Sequence, residues 1–210
     1  MEVHPAHGSI HSVKEFMVHL LAITIGLLLA LGLEASVEWV HHRHLVQSAR
    51  ENISQEIHNN QQSLASELNA LPVEEQQLKE ILSVVSNTQY GRTTKPIGTL
   101  TWTVIRLNES AWNTTFSTGA IAYMDYDEVK RYSQLYALQQ LYNSTMERNL
   151  ESRGEMYAFL SRMEIPEKPP NAEFESGKHA ITSEIVMVQF LREMGGKLST
   201  NYADLSPQSK

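Results

Sequence analysis

From Phe16 to Leu33 the chain reads FMVHLLAITIGLLLALGL, a run interrupted only by His19 and Thr24. At about 1.5 Å per helical residue it nearly crosses a hydrocarbon core of about 30 Å, so the pattern predicts a transmembrane helix. Lys14 and Glu15 precede the run, and Glu34, Glu38, Trp39 and the His41-His42-Arg43-His44 cluster follow it. Those are the charged and aromatic flanks expected where a helix leaves lipid. The pattern divides this end of the chain into a tail over 1–15 and a span with its interfacial exit over 16–40. A cleaved secretory signal is the rival reading, since Ala30-Leu31-Gly32 imitates a small-x-small cleavage site. The length of the run, the single leading Lys14 and the helical pattern beyond the site favour a retained anchor. A buried helix of a soluble domain would need a core able to surround a helix apolar on every side, and the amphipathic remainder does not supply one.

Beyond Leu45 the pattern changes to one apolar face, with Ile53, Ile57, Leu64, Leu68, Leu71, Leu78, Leu82 and Val85 spaced by three, four and seven. Pro72 is expected to break or kink this helix, and Glu74-Glu75-Gln76-Gln77 to open a second segment as favourable first-turn residues. Asn87 to Pro96 carries the punctuation of a loop. Leu100 to Ile105 has strand-like composition, but without a pairing partner its backbone edges stay unsatisfied, which predicts a loop or the lead-in to a helix. Ser110 is a candidate cap, and Trp112, Phe116 and Ile121 form a candidate core patch, with Gly119 permitting close approach. Asp125-Tyr126-Asp127 starts the longest helix expected after the anchor, its face running from Val129 through Tyr132, Leu135, Tyr136 and Tyr142 to Leu160. Pro166, Pro169 and Pro170 mark a connector. A last helix spans Ala180 to Met194, stopped by Gly195-Gly196, with a fraying tail over 196–210. The predicted fold is all-α, one amino-terminal transmembrane helix followed by a four- or five-helix bundle-like domain over 41–195.

Within the anchor, Glu15, His19, Ala22, Gly26, Ala30, Glu34 and His41 fall in an arc of roughly 120°. Ala22, Gly26 and Ala30 have the small-xxx-small spacing that lets two helix backbones approach closely, and so form a candidate helix-pairing face for a homodimer or an unidentified envelope protein. His19 lies one turn inside the span, near enough to its end to snorkel to the headgroups.

Composition narrows the chemistry. The 210 residues are 41% hydrophobic, enough for a core, and 24 acidic against 17 basic residues leave a net charge of −7 that argues against nucleic acid. Zero cysteines remove disulfides, thiolate metal sites and cysteine nucleophiles together. The chain has no GxxxxGK[ST], GxGxxG in a strand–helix context, GxSxG or HExxH, and therefore no foothold for common catalytic readings; no enzyme activity, catalytic residue or cofactor is assigned. Six of the nine histidines, His4, His7 and His11 before the span and His41, His42 and His44 after it, raise a metal-binding alternative. The two clusters stand at opposite ends of the span and cannot share an ion, and interfacial or pH-responsive roles are favoured, so no metal site is assigned. Glu34 and Glu38 beside His41 and His42 read as a charged helix exit. The charge rule for orientation is balanced, Lys14 and the free amine against Arg43 and Arg50; the Asn-, Gln-, Ser- and Thr-rich, cysteine-free domain leans extracytoplasmic.

HSVKEF, the span ending LALGLEASVEW, the following amphipathic helix and AWNTTFSTGAIAYMDYDEVKRYSQLY together resemble an uncharacterised group of small bacterial single-pass inner-membrane proteins. The resemblance covers most of the chain. It implies one amino-terminal span, a helical domain of unknown function and a bacterial inner-membrane setting, and it carries over no catalytic residue. Two functional expectations follow. The first is a noncatalytic, membrane-anchored interaction or scaffold module. The second is an envelope sensor with a small-molecule groove near Trp112, Tyr123, Tyr132 and Tyr136, marked by a deep pocket instead of a filled aromatic core.

Overall fold

The computed structural model describes residues 13–92, 95–165 and 167–205. Four α-helices and one 3₁₀ turn make up its regular structure: α1 (Val13–Gln89), α2 (Ser110–Ser117), the turn Ala120–Tyr123, α3 (Tyr126–Met163) and α4 (Asn171–Leu205). No strand occurs among the described residues, in keeping with an all-α fold. The chain divides into two compact units at Ser48 and Ala49.

The first unit is helical from Val13, and its most apolar window has a mean hydropathy of 2.4 with none of it buried. Large aliphatic side chains are exposed around the helix, Ile23 and Leu29 by about 70%. Its hydroxyls bond within the helix, Thr24 to the Leu20 carbonyl at 2.8 Å and Ser36 to the Gly32 carbonyl at 2.7 Å. The ring of His19 likewise lies 2.9 Å from the Glu15 carbonyl.

In the second unit the predicted stripe on α1 is the core: Ile53, Ile57, Leu64, Leu71, Leu78 and Val85 are all buried. Cross-links between α1 and α3 join Glu56 to Tyr136, Asn60 to Gln139 and Glu74 to Arg153, at an almost constant sequence separation of 79 or 80. Numbers rise together on both helices, so the two run parallel. On α4 they fall instead: Tyr202 meets Gln139, Glu184 meets Arg153 and Glu175 meets Gln89. Thus α4 lies antiparallel to both.

Because α1 and α3 are parallel, the chain must return along their length between them. It does so as an extended strap over residues 95–109. The Thr101 amide donates to Gln77 at 2.8 Å, Arg106 pairs with Glu147 and Asn108 reaches Asn60, so the strap runs back along both helices. Strand-like residues here find no sheet. Instead the side-chain amides of Asn60 and Asn143 each pair with both backbone groups of one strap residue, Asn108 and Leu107 respectively. These contacts satisfy backbone groups that burial would otherwise leave unpaired.

Several local expectations are corrected. Helix α1 passes through Pro72, which sits exposed while Leu71 and Glu74 beside it are buried. Tertiary packing on both sides outweighs the lost helical bond, so the anchor and the first two expected domain helices merge into one. Gly195-Gly196 does not end α4, which continues to Leu205 and buries Leu198 and Tyr202. A Cβ at Gly195 would stand 2.9 Å from Leu68 and 3.2 Å from Tyr142, so this glycine admits neighbouring helices in place of terminating its own. Gly119 plays the opposite part to the one expected. Nothing lies within 4 Å of a Cβ built there, and its φ of 74° makes the left-handed turn after α2. Ser110 does not cap α2; the preceding residue, Glu109, holds that position without a side-chain bond. Asp125 caps α3, accepting from the amides of Asp127 and Glu128.

Helices α3 and α4 pack tightly at Gly177. A Cβ at Gly177 would lie 2.2 Å from the Phe159 ring. Gly177→Ala should therefore destabilise the helical domain by about 1–3 kcal/mol through overpacking, read as a lower midpoint in thermal circular dichroism, and Phe159→Leu in the same chain should recover part of the loss.

Candidate functional site

Two polar layers lie inside the second unit. In the first, the buried Glu56 carboxylate on α1 accepts from the Tyr136 hydroxyl at 2.7 Å, from the Ser110 hydroxyl at 3.1 Å and from the Ala111 amide at 2.8 Å. A side chain from another helix thereby supplies the acceptor that the amino terminus of α2 needs. Burial, then the bond to Glu56, pushes the Tyr136 hydroxyl far above the usual tyrosine range, so it remains a donor. Gln139, fully buried, bonds the Asn108 carbonyl and receives the Tyr202 hydroxyl, joining α3, α4 and the strap.

The second layer is charged. Arg153 on α3 donates to Glu74 on α1, and its Nε lies 2.7 Å from Oε1 of Glu184 on α4. The latter contact is an ion pair lacking the alignment of a hydrogen bond. All three side chains are more than nine-tenths buried. Trp102 of the strap covers the guanidinium, 4.7 Å from its ring centre, and Tyr157 lies beside Trp102. Burial pushes the Glu74 and Glu184 carboxyls upward, with Arg153 pulling both the other way and Asn149 adding to that pull on Glu184. Glu67, two turns before Glu74, is 1% exposed, and its Oε2 has no hydrogen-bond partner among the described residues. The buried hydroxyl of Tyr142 has none either, and burial, then the charge of Glu67, raises it.

The residues nominated from sequence occupy different settings. Trp112 stacks on Tyr136 with ring centres 5.3 Å apart and planes at 4°, and Tyr132 lies 6.1 Å from Trp112. These three come together as directly packed rings, with Trp112 and Tyr136 buried and Tyr132 partly so. Tyr123, on the 3₁₀ turn, is exposed. A neighbouring cleft of about 310 Å³ is lined by Asn52, Gln55, Asn59, Asn108 and Thr114, among others, and by none of the four aromatic residues. Ala22, Gly26 and Ala30 lie exposed on α1. His41 and His42 have ring centres 5.9 Å apart, with His42 3.9 Å from Glu38. His4, His7 and His11 lie outside the described residues.

Sequence reasoning missed Glu67, Glu184, Asn149 and Arg153, and read Glu74 as a favourable first-turn residue of a new helical segment. A signal was present. Glu67 and Glu74 interleave with Leu64, Leu71 and Leu78 on one stripe, Glu184 falls between Ile181 and Val188, and Arg153 precedes Met156 on the apolar face of α3. A charge at a core position of an amphipathic helix is a request for a buried partner.

No family model, curated protein or solved structure matches this chain.

Removing one member of a buried charge group leaves the others uncompensated. Arg153→Met should lower stability by about 3–5 kcal/mol, whereas the chain carrying Arg153→Met, Glu74→Leu and Glu184→Leu together should regain most of that loss. Denaturation midpoints of the two chains make the comparison.

Proposed function

We propose that this chain is a noncatalytic, membrane-anchored helical interaction module of the bacterial envelope. Phe16–Leu33 crosses the inner membrane as its single span, and the helical domain stands on the extracytoplasmic side to hold a protein partner. One observation carries the reading: the helix between Phe16 and Leu33 exposes large apolar side chains on all sides, and none of its most apolar window is buried. Leaving a Leu or Ile side chain in water in place of burying it costs about 1.5–3 kcal/mol, and this stretch carries a succession of them. Lipid removes that cost. The internal bonds of Thr24 and Ser36 fit the same solvent, in which backbone and hydroxyl groups must be satisfied within the segment.

The pairing face supports association within the membrane. A Cβ built at Gly26 meets no heavy atom of neighbouring side chains within 4 Å, so nothing in the described chain fills the space that a second helix would use. The bacterial envelope setting rests on the family resemblance of the sequence.

The test is biochemical fractionation. The full chain should stay in the membrane pellet through an alkaline carbonate wash. Replacing Leu27 and Leu28 with Arg, each costing about 2.5–3.5 kcal/mol at the centre of a span, should move it to the soluble or aggregated fraction. Equal retention of both chains would contradict the assignment.

A further inference from the structure

Glu67 is a buried acid in an interior short of positive charge. The charge of Glu74 on its own helix and that of Arg153 on α3 act on it, and its own charge acts on the buried Tyr142 hydroxyl of α3. On α4, Glu184 lies across Arg153, while Gly195, packed against Leu68, and its buried neighbours Leu191 and Met194 bring no titratable group. Three carboxylates therefore share one guanidinium, which is already engaged by Glu74 and Glu184. Oε2 of Glu67 has no hydrogen-bond partner among the described residues.

We propose that Glu67 is a proton-operated latch of the helical domain: with its proton bound the α1–α3–α4 interior stays closed, and loss of that proton loosens α1 from the other two helices around Glu67 and Glu74. The geometry supplies the reason. Ionised Glu67 would place a third negative charge beside a single spent cation in a space that water does not reach, and opening is the route by which it regains hydration.

Burial, reinforced by the charge of Glu74 and opposed by that of Arg153, holds the Glu67 carboxyl at about 7. In an opened state it returns to about 4.3. Between those values the closed state binds a proton that the open state lacks, so stability falls as pH rises, by about tenfold in the opening constant per pH unit, and levels off above the folded value.

Amide hydrogen exchange of the full chain in lipid nanodiscs, corrected for intrinsic rates, tests the latch. Protection of peptides around Glu67–Leu78 and Asn149–Met156 should drop as pH rises from about 5 to 7. Glu67→Gln should lessen that dependence by about tenfold per pH unit, and Glu67→Met, which also removes the charge at similar volume, serves if the first variant fails to fold. Flat protection in the wild type, or an undiminished dependence in a folded variant, overturns the proposal. The wild type also carries its own check: its infrared spectrum at about pH 6 should hold a protonated-carboxyl carbonyl band that fades as pH passes about 7, and absence of that band overturns the latch without any variant.

Discussion

Parallel alignment of α1 and α3 is the constraint from which the helical domain follows. Two antiparallel helices need only a short turn, but helices in the same direction require the chain to travel back their length before starting the second. Gln89 and Ser110 are therefore joined by a strap in place of a turn. An extended strap against helices has no ladder to join, so its amides and carbonyls must be met by side chains. Asn60, Asn143 and Gln77 perform that task, and Glu56 completes it where the strap becomes α2. With α1 and α3 tied through the strap, α4 fills the remaining side antiparallel to both.

Apolar stripes alone define such a bundle poorly, because a helix can slide by a turn and still bury leucine against leucine. The charged layer removes that freedom. Arg153 meets Glu74 on one side and Glu184 on the other, and a shift of either helix would leave a guanidinium or a carboxylate buried and unmatched. The same layer is overloaded with negative charge by Glu67, which ties the packing of three helices to the protonation of one carboxyl. A group that specifies the register thus also makes the interior responsive to its surroundings.

The apolar positions of this fold were legible from periodicity. The stripe from Ile53 to Val85 is the buried face of α1, α3 starts at the expected Asp125-Tyr126-Asp127 and buries most of its expected face from Leu135 to Leu160 with Leu141 exposed, and residues 100–105 are neither helix nor strand. Local punctuation was less reliable. Pro72 and Gly195-Gly196 look like breaks in a one-dimensional pattern, but packing on both flanks carries the helix through the first, and close contact with Leu68 and Tyr142 explains a glycine at the second. The charged layer stayed hidden because Glu74, Arg153 and Glu184 are far apart in sequence, and only the parallel pairing of α1 with α3 and the antiparallel return of α4 bring them together. Of the four residues named for a groove, Trp112, Tyr132 and Tyr136 pack ring against ring while Tyr123 stands apart and exposed; helical spacing carries no information on whether rings from two helices line a groove or stack on one another.

Function turns on the medium that surrounds Phe16–Leu33. A chain without cysteine accepts one at any chosen position as a unique label. Nitroxides attached through Leu27→Cys and, separately, Asn59→Cys in chains reconstituted into lipid vesicles report collisions with oxygen, which concentrates in hydrocarbon, and with a water-soluble nickel complex. A span in lipid gives oxygen-rich, nickel-shielded behaviour at position 27 and the reverse at position 59. Nickel access at position 27 equal to that at position 59 would contradict it.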